Sequence, residues 1–316
     1  MKRIEKVSII GLGAIGSAYA SQIIKFIPGE NVRVIAGGER ANRYKTAGIN
    51  INGENFTFNV IDPAEECPAA DLLIFAVKFN QLEEAVKQAK NHVGPDTIII
   101  SLLNGITSEE FIGREYGREK ILYALTFGID AVRVGNSVSF ASLGTIPFGE
   151  AQNIEGHYSE KVIRLQEFFD RTRINYSIPQ DMIYTLWWKL MVNVGINQTS
   201  AILRAPYGVF QNVEETRKIM IAAMQEVVDI SREASINLSS GAIGELMEVL
   251  KRLAPEGKTS MLQDIEAGRE TEVNIFAGAI AQLGQKYGVA TPVNNMLYDI
   301  IKAQEGIFKY HNHISK

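Results

Sequence analysis

The stretch "IIGLGAIGSAYASQII", residues 9–24, sets Gly11, Gly13 and Gly16 directly behind an apolar run and at the mouth of a helical pattern. Strand, G-x-G-x-x-G turn and helix in that order are the context in which the spacing points to a dinucleotide. Gly11 permits the tight turn, Gly13 lets the backbone approach a pyrophosphate, and Gly16 lets helix and strand pack closely. The helix N-terminus adds unpaired N–H groups and a positive partial charge. The candidate cofactor contact is therefore the whole turn: Gly11, Leu12, Gly13, Ala14, Ile15 and Gly16. The alternative is a glycine-rich α/β turn that binds no nucleotide.

The run before this turn, "KVSIIG" (6–11), is the first of five short apolar runs, followed by "NVRVIA" (31–36), "DLLIFAV" (71–77), "TIIISLL" (97–103) and "KILYALTF" (120–127). Fully apolar runs of this length, separated by helical patterns, suit strands buried on both faces of a parallel sheet. The fold class is thus α/β, an N-terminal Rossmann-type doubly wound domain. Within it, "ININGENFTFNV" (49–60) alternates around Asn52-Gly53, a hairpin signal, and a second antiparallel patch is expected near "VRVGNSVSFASLGTIPFG" (132–149). After "NYSIPQDM" (175–182) the pattern turns helical, over roughly 180–200, 212–236, 241–253, 259–285 and 292–307. The expected organisation is a dinucleotide-binding domain over 1–179 and an all-helical substrate domain over 180–316.

A chain of 316 residues exceeds the usual size of one domain. Its 46% hydrophobic and 22% charged residues are those of an ordinary globular protein, and a net charge of −4 argues against a nucleic-acid partner. One cysteine, Cys67, cannot form an intramolecular disulfide. The N-terminus resembles a secretory signal only in outline, since glycines interrupt its apolar run. No stretch approaches the roughly 20 apolar residues that span a bilayer, so a cytoplasmic location is expected. His311 and His313 read as a polar tail, and no metal site is expected.

The end of the second strand distinguishes NAD from NADP, because a carboxylate there accepts the ribose 2′-hydroxyl and an arginine accommodates a 2′-phosphate. Here "AGGERANRYK" (36–45) offers Arg40, Arg43 and Lys45 against Glu39, which leans to NADP. Lys78 and Asn104 follow two other strands, at the rim where ligands bind in such sheets.

In "WWKLMVNVGINQ" (187–198), Lys189, Asn193 and Asn197 recur every fourth residue within an apolar helix. At about 100° per residue they share one stripe, and buried without partners each would cost free energy. The stripe therefore has to face a polar cavity. Candidate partners lie in "KTSMLQDIEAGRETEVNIFAGAI" (258–280), where Ser260, Asp264, Glu266, Glu270 and Glu272 punctuate a helical pattern. Glu272 falls in the first turn of the helix that "TEVNIFAG" suggests, but spacing does not choose among the carboxylates.

Taken together, "GLGAIG" (11–16), "LLNG" (102–105), "KLMVNVGINQTSAI" (189–202) and "TSMLQDIEAGRETEVN" (259–274) resemble the ketopantoate reductase (2-dehydropantoate 2-reductase) family, in the family's order and over essentially the whole chain. The resemblance implies NADPH-dependent reduction of 2-dehydropantoate to (R)-pantoate, on the route to pantothenate and coenzyme A. It implies Lys189 as general acid, Asn193, Asn197 and Ser260 as substrate-binding positions, and Asn104 between substrate and nicotinamide. Glu272 matches the family's glutamate near cofactor and substrate, and Ala131 a small cofactor-contacting residue. Arg40 and Lys78 complete the cofactor set, and a homodimer is the assembly considered. Three positions depart from the pattern: Gly37 replaces an arginine at the end of the second strand, Gln198 a proline, and Tyr207 an asparagine. Tyr207 leaves open a reductase of another small 2-oxo or 3-oxo acid. A dinucleotide-binding sensor without turnover is the remaining alternative, although a sensor has no need of a general acid.

Overall fold

The computed structural model describes residues 2–236, 238–239 and 241–314. One compact unit ends at Met182 and a second begins at Ile183.

The strands of the first unit are β1 (Val7–Ile10), β2 (Val32–Ile35), β3 (Ile49–Ile51), β4 (Glu54–Phe56), β5 (Asn59–Ile61), β6 (Leu72–Phe75), β7 (Ile98–Ser101), β8 (Ile121–Ala124), β9 (Val132–Val134), β10 (Ser137–Ser139), β11 (Ile146–Gly149) and β12 (Tyr176–Ser177). Its helices are α1 (Ala14–Ile23), α2 (Gly38–Ala47), α3 (Leu82–Gln88), α4 (Ser108–Tyr116) and α5 (Glu160–Thr172). Among the described residues the main sheet has eight strands in the order β12-β11-β8-β7-β6-β1-β2-β5. From β5 to β8 every pairing is parallel, and β11 joins β8 antiparallel. Strands β1, β2, β6 and β7 are buried at every position, which is why apolar residues in them fall on both faces of the sheet. The chain runs outward from β1 to β2 and returns to β6 on the other side, so the strand order reverses at β1. Ligands bind at such switch points, and the glycine-rich turn leaves the carboxyl end of β1.

The hairpin around Asn52-Gly53 forms as the sequence indicates, with Ile51 opposite Glu54. Both turn residues have positive φ, 51° and 87°, the type I′ geometry that suits strand twist. The expected patch at 132–149 divides: β9 and β10 pair antiparallel and dock on β3, whereas β11 enters the main sheet. Helix α5 is capped by the Ser159 hydroxyl, which accepts the Val162 N–H. Its Phe169 meets Phe148 of β11 edge to face, with ring centroids 5.2 Å apart.

The second unit is helical: α6 (Met182–Val192, beginning at the junction), a π-helical turn (Asn193–Asn197), α7 (Gln198–Leu203), α8 (Tyr207–Asn212), α9 (Glu214–Glu233), α10 (Gly241–Leu250), α11 (Ser260–Glu266), α12 (Ala277–Tyr287) and α13 (Pro292–Ile314). Four expectations are corrected. The single helix over 259–285 is two, because the chain turns at Gly268, whose φ is +62° and where a Cβ would overlap the Phe308 ring. Glu272 consequently does not open an α-helix and instead precedes a short 3₁₀ turn, Val273–Ile275. The helix over 180–200 changes winding at Asn193, and α13 runs to Ile314, past the expected end at 307. The His313 side chain lies outside the described residues. No helix of the described residues is long and apolar enough to cross a membrane.

Candidate functional site

In the first unit, the three glycines do different work. Gly11 has φ +101°, and a Cβ there would lie 2.6 Å from the Ala76 carbonyl oxygen. At Gly16 a Cβ would overlap the Gly11 carbonyl oxygen, so only glycine lets α1 lie this close to β1. Gly13 differs: it caps α1 in ordinary extended geometry, and the nearest atom to a Cβ would be Ala76 O at 3.8 Å. No side chain caps the α1 N-terminus. The open face at Gly13 beside uncapped helix N–H groups fits a pyrophosphate, whose oxygens such N–H groups would bind.

Leu12 is buried in this turn, while Ala14 and Ile15 are half-buried on the first turn of α1. Lys78 is exposed just beyond the carboxyl end of β6, before the 3₁₀ turn Phe79–Gln81. Asn104 is half-buried after β7. Its turn is fixed by Ser101, whose hydroxyl accepts the Leu103 N–H at 3.3 Å and pairs with the Ser108 hydroxyl at 2.8 Å. Ala131 is half-buried immediately before β9, and Arg40 is exposed in the first turn of α2. One residue beside the turn has no signal in its own sequence context. Arg133 of β9 donates to the Leu12 carbonyl from its guanidinium, placing a cation on the glycine-rich turn.

In the second unit, Lys189 is half-buried on α6, and Asn193 and Asn197 are buried at the two ends of the π turn. The Asn197 amide donates to Asn193 Oδ1 at 3.3 Å, so these two members of the stripe are joined. The looser winding accommodates α9, because a Cβ at Gly195 would overlap the Met224 side chain. π turns occur mostly as single turns inside α-helices, frequently at functional sites.

Two segments begin against α7. Thr259 caps α11, accepting the Leu262 N–H, and its hydroxyl donates to the Ser200 hydroxyl at 3.2 Å. Ser260 is the exposed first residue of that helix. The wholly buried Gln198 accepts the Ala277 N–H at 2.9 Å, tying down the start of α12, and donates to the Asn294 side chain at 3.2 Å. Asn294 in turn donates to the buried Glu226 carboxylate at 2.7 Å. This network accounts for Gln198: a proline there could make none of these bonds. Glu272 is half-buried on the segment that leads into α12.

Tyr207 lies near the start of α11. Its N–H donates to Gly257 O at 3.0 Å, and a Cβ at Gly257 would stand 2.9 Å from the Tyr207 ring. Burial pushes the Tyr207 phenol above its ordinary pKa, so it stays protonated. Among the described residues no cluster of three or more His, Cys, Asp or Glu side chains could hold a metal ion.

Comparison with known proteins follows this division. Residues 7–153 match the family described as "Ketopantoate reductase PanE/ApbA", and residues 181–305 match "Ketopantoate reductase PanE/ApbA C terminal". The chain belongs to the ketopantoate reductase family. A 2-dehydropantoate 2-reductase of Aquifex aeolicus is 29% identical over 311 residues, covering 95% of this chain and 97% of that one. Among solved structures, a D-mandelate dehydrogenase in complex with NADH and anilino(oxo)acetate superposes with a TM-score of 0.85 at 24% identity, over 96% of this chain and 99% of the other. A dimeric ketopantoate reductase from Staphylococcus aureus gives a TM-score of 0.76 at 20% identity, again over 96% and 99%. Those two likenesses concern the fold, which ketopantoate reductases share with a dehydrogenase named for another 2-hydroxy acid.

Proposed function

We propose that this chain is a cytoplasmic reductase that converts 2-dehydropantoate to (R)-pantoate, with Lys189 as general acid. The supporting observation is the polar stripe on a largely buried helix, where Lys189 precedes a π turn holding the bonded pair Asn193 and Asn197. A nicotinamide dinucleotide supplies the hydride, and Gly11–Gly16 would hold its pyrophosphate. As hydride reaches C2 the carbonyl π bond breaks, and its electron pair settles on oxygen. The Lys189 ammonium stabilises that charge and delivers a proton to the oxygen, leaving a neutral amine that water reprotonates. Asn193, Asn197 and Ser260 orient the substrate, Asn104 and Glu272 contact both substrate and cofactor, and Lys78, Arg40 and Ala131 contact the cofactor. NADPH is the cofactor that the resemblance implies; with Gly37 in place of the family's arginine, a 2′-phosphate would fall to Arg40 or Arg43 or be held more weakly, and the residues beside Gly37 bear on that choice. We infer a homodimer, the assembly named for the Staphylococcus aureus relative, to be checked by light scattering.

Tyr207 supports a second reading, reduction of a different 2-oxo acid. Where the family pattern has an asparagine, a bulky ring packs on Gly257, three residues before Ser260. Steady-state reduction of a series of 2-oxo acids decides between the two. Preference for 2-dehydropantoate in kcat/KM supports the first, and turnover of it no better than of unrelated 2-oxo acids overturns it.

A further inference from the structure

The edge strand β5 brings a carboxylate to the end of β2, the strand end at which dinucleotide-binding folds read the adenosine ribose. It pairs in parallel with β2, Ile35 opposite Ile61, and the pairing continues as Ala36 N–H donates to Ile61 O at 3.1 Å. Asp62 and Pro63 therefore emerge beside Gly37, the residue that caps α2. The Gly37 backbone is extended, with φ −116° and ψ 167°, so its conformation makes no demand for glycine. The surroundings do. A Cβ at this position would lie 3.3 Å from Pro63 Cδ, tighter than ordinary contact, and 3.8 Å from Asp62 Oδ2. Proline ring and carboxylate take up the space that a side chain at this strand end would enter.

The Asp62 carboxylate is held in place. Its Oδ1 accepts the Ala64 N–H at 3.0 Å, its main-chain carbonyl accepts the Glu65 N–H at 2.9 Å, and the next carbonyl, of Pro63, accepts from the Asn91 amide at 3.1 Å. Oδ2, the oxygen nearest Gly37, makes no bond to a described residue, and no cation among the described residues pairs with Asp62. An uncompensated carboxylate accepts a hydrogen bond from a ribose hydroxyl and repels a phosphate. Of the cations on α2, Arg43 lies over the Tyr44 ring at 5.6 Å, and Lys45 is in the last turn. Arg40, exposed one turn beyond Gly37, is the remaining competitor.

We propose that Asp62 accepts the adenosine-ribose 2′-hydroxyl and repels a 2′-phosphate, so that this chain binds NADH in preference to NADPH. The proposal rests on the glycine-rich turn being a dinucleotide site.

The test is direct binding by isothermal titration of the full chain with NADH and with NADPH, for the wild type, Asp62→Asn and Arg40→Ala. Asparagine keeps the acceptor for Ala64 N–H and removes the charge. Wild type is expected to bind NADH about tenfold or more tightly than NADPH, with the gap narrowing as salt screens the repulsion. Asp62→Asn should shift the ratio toward NADPH by about tenfold with an unchanged melting temperature. Tighter NADPH binding in the wild type, lost in Arg40→Ala, overturns the proposal and makes Arg40 the phosphate reader. An NADH preference that survives Asp62→Asn overturns the role of Asp62. Failure of the folded wild type to bind either dinucleotide overturns the underlying assignment of the turn instead.

Discussion

The carboxylate of Glu305 accepts two hydrogen bonds from Thr271, one from its N–H and one from its hydroxyl, each 2.8 Å long. Lys302 donates to the other carboxylate oxygen at 2.6 Å. Helix α13 thereby fixes the residue before Glu272. Burial alone would raise the Glu305 pKa, but Lys302 and the two Thr271 donors outweigh it and hold it below the usual carboxylate range. A folded-state pKa below the unfolded value means that the stabilisation is complete above about pH 4.3 and is lost as pH falls through the folded value. Glu305→Ala should lower the melting temperature and, by releasing the Glu272 segment, lower kcat. Thermal melts should show Glu305→Gln with a flatter acid limb than the wild type.

Lys189→Ala removes the proposed proton donor and leaves the glycine-rich turn untouched. The expected result is a fall in kcat of about 10²-fold or more with nearly unchanged dinucleotide affinity. Stopped-flow turnover and titration calorimetry separate the two, and an unchanged kcat removes Lys189 from the chemistry.

Gly13 and Gly16 should fail in different ways. A Cβ at Gly13 would meet nothing closer than the Ala76 carbonyl oxygen at 3.8 Å, an ordinary contact, and the backbone is unstrained, so Gly13→Val should fold with a near-native melting temperature and lose dinucleotide binding. At Gly16 the added carbon would collide with the Gly11 carbonyl, and Gly16→Val should lower the melting temperature itself. Circular dichroism melts beside binding titrations distinguish them.

His92 makes acid unfolding begin before the carboxylates titrate. It is fully buried and hydrogen-bonded to the Ser8 hydroxyl at 2.8 Å. Burial, with a smaller contribution from Arg33, pushes its pKa down to about 4. The unfolded chain takes up this proton near pH 6.5 while the folded one resists, so stability falls progressively between those values, by up to about 3 kcal/mol. Urea titrations across this range should show the loss, and His92→Gln should abolish most of its pH dependence.

The elements that could be read from sequence are those whose signal is local. Four strands of the sheet centre are short, predominantly apolar runs, and Asn52-Gly53 demands its own turn geometry. Strands β5 and β12 have no such signal, because three or two residues pair only where a neighbouring edge is available. The break between α11 and α12 is equally non-local: "EAGRE" continues a helical pattern, and what opposes a side chain at Gly268 is Phe308, on α13. For the candidate site, the kinship of Lys189, Asn193 and Asn197 could be read from their spacing. The positions of Arg133 and Asp62 could not, since each reaches its neighbours through strand pairings set elsewhere in the chain.

The π turn also sets a phase. Lys189 precedes it, while Gln198 and Ser200, the residues that tether α12 and α11, come after it. Each residue of a regular helix accounts for about 100° of rotation, so the length of this one turn fixes the angular offset between the end that carries Lys189 and the anchoring end. Deleting one of the three residues between Asn193 and Asn197 would leave Lys189 and both asparagines in the chain and still swing the tethers about a quarter of a turn away from the lysine. The turn is the gear tooth that keeps the two ends of the helix in step.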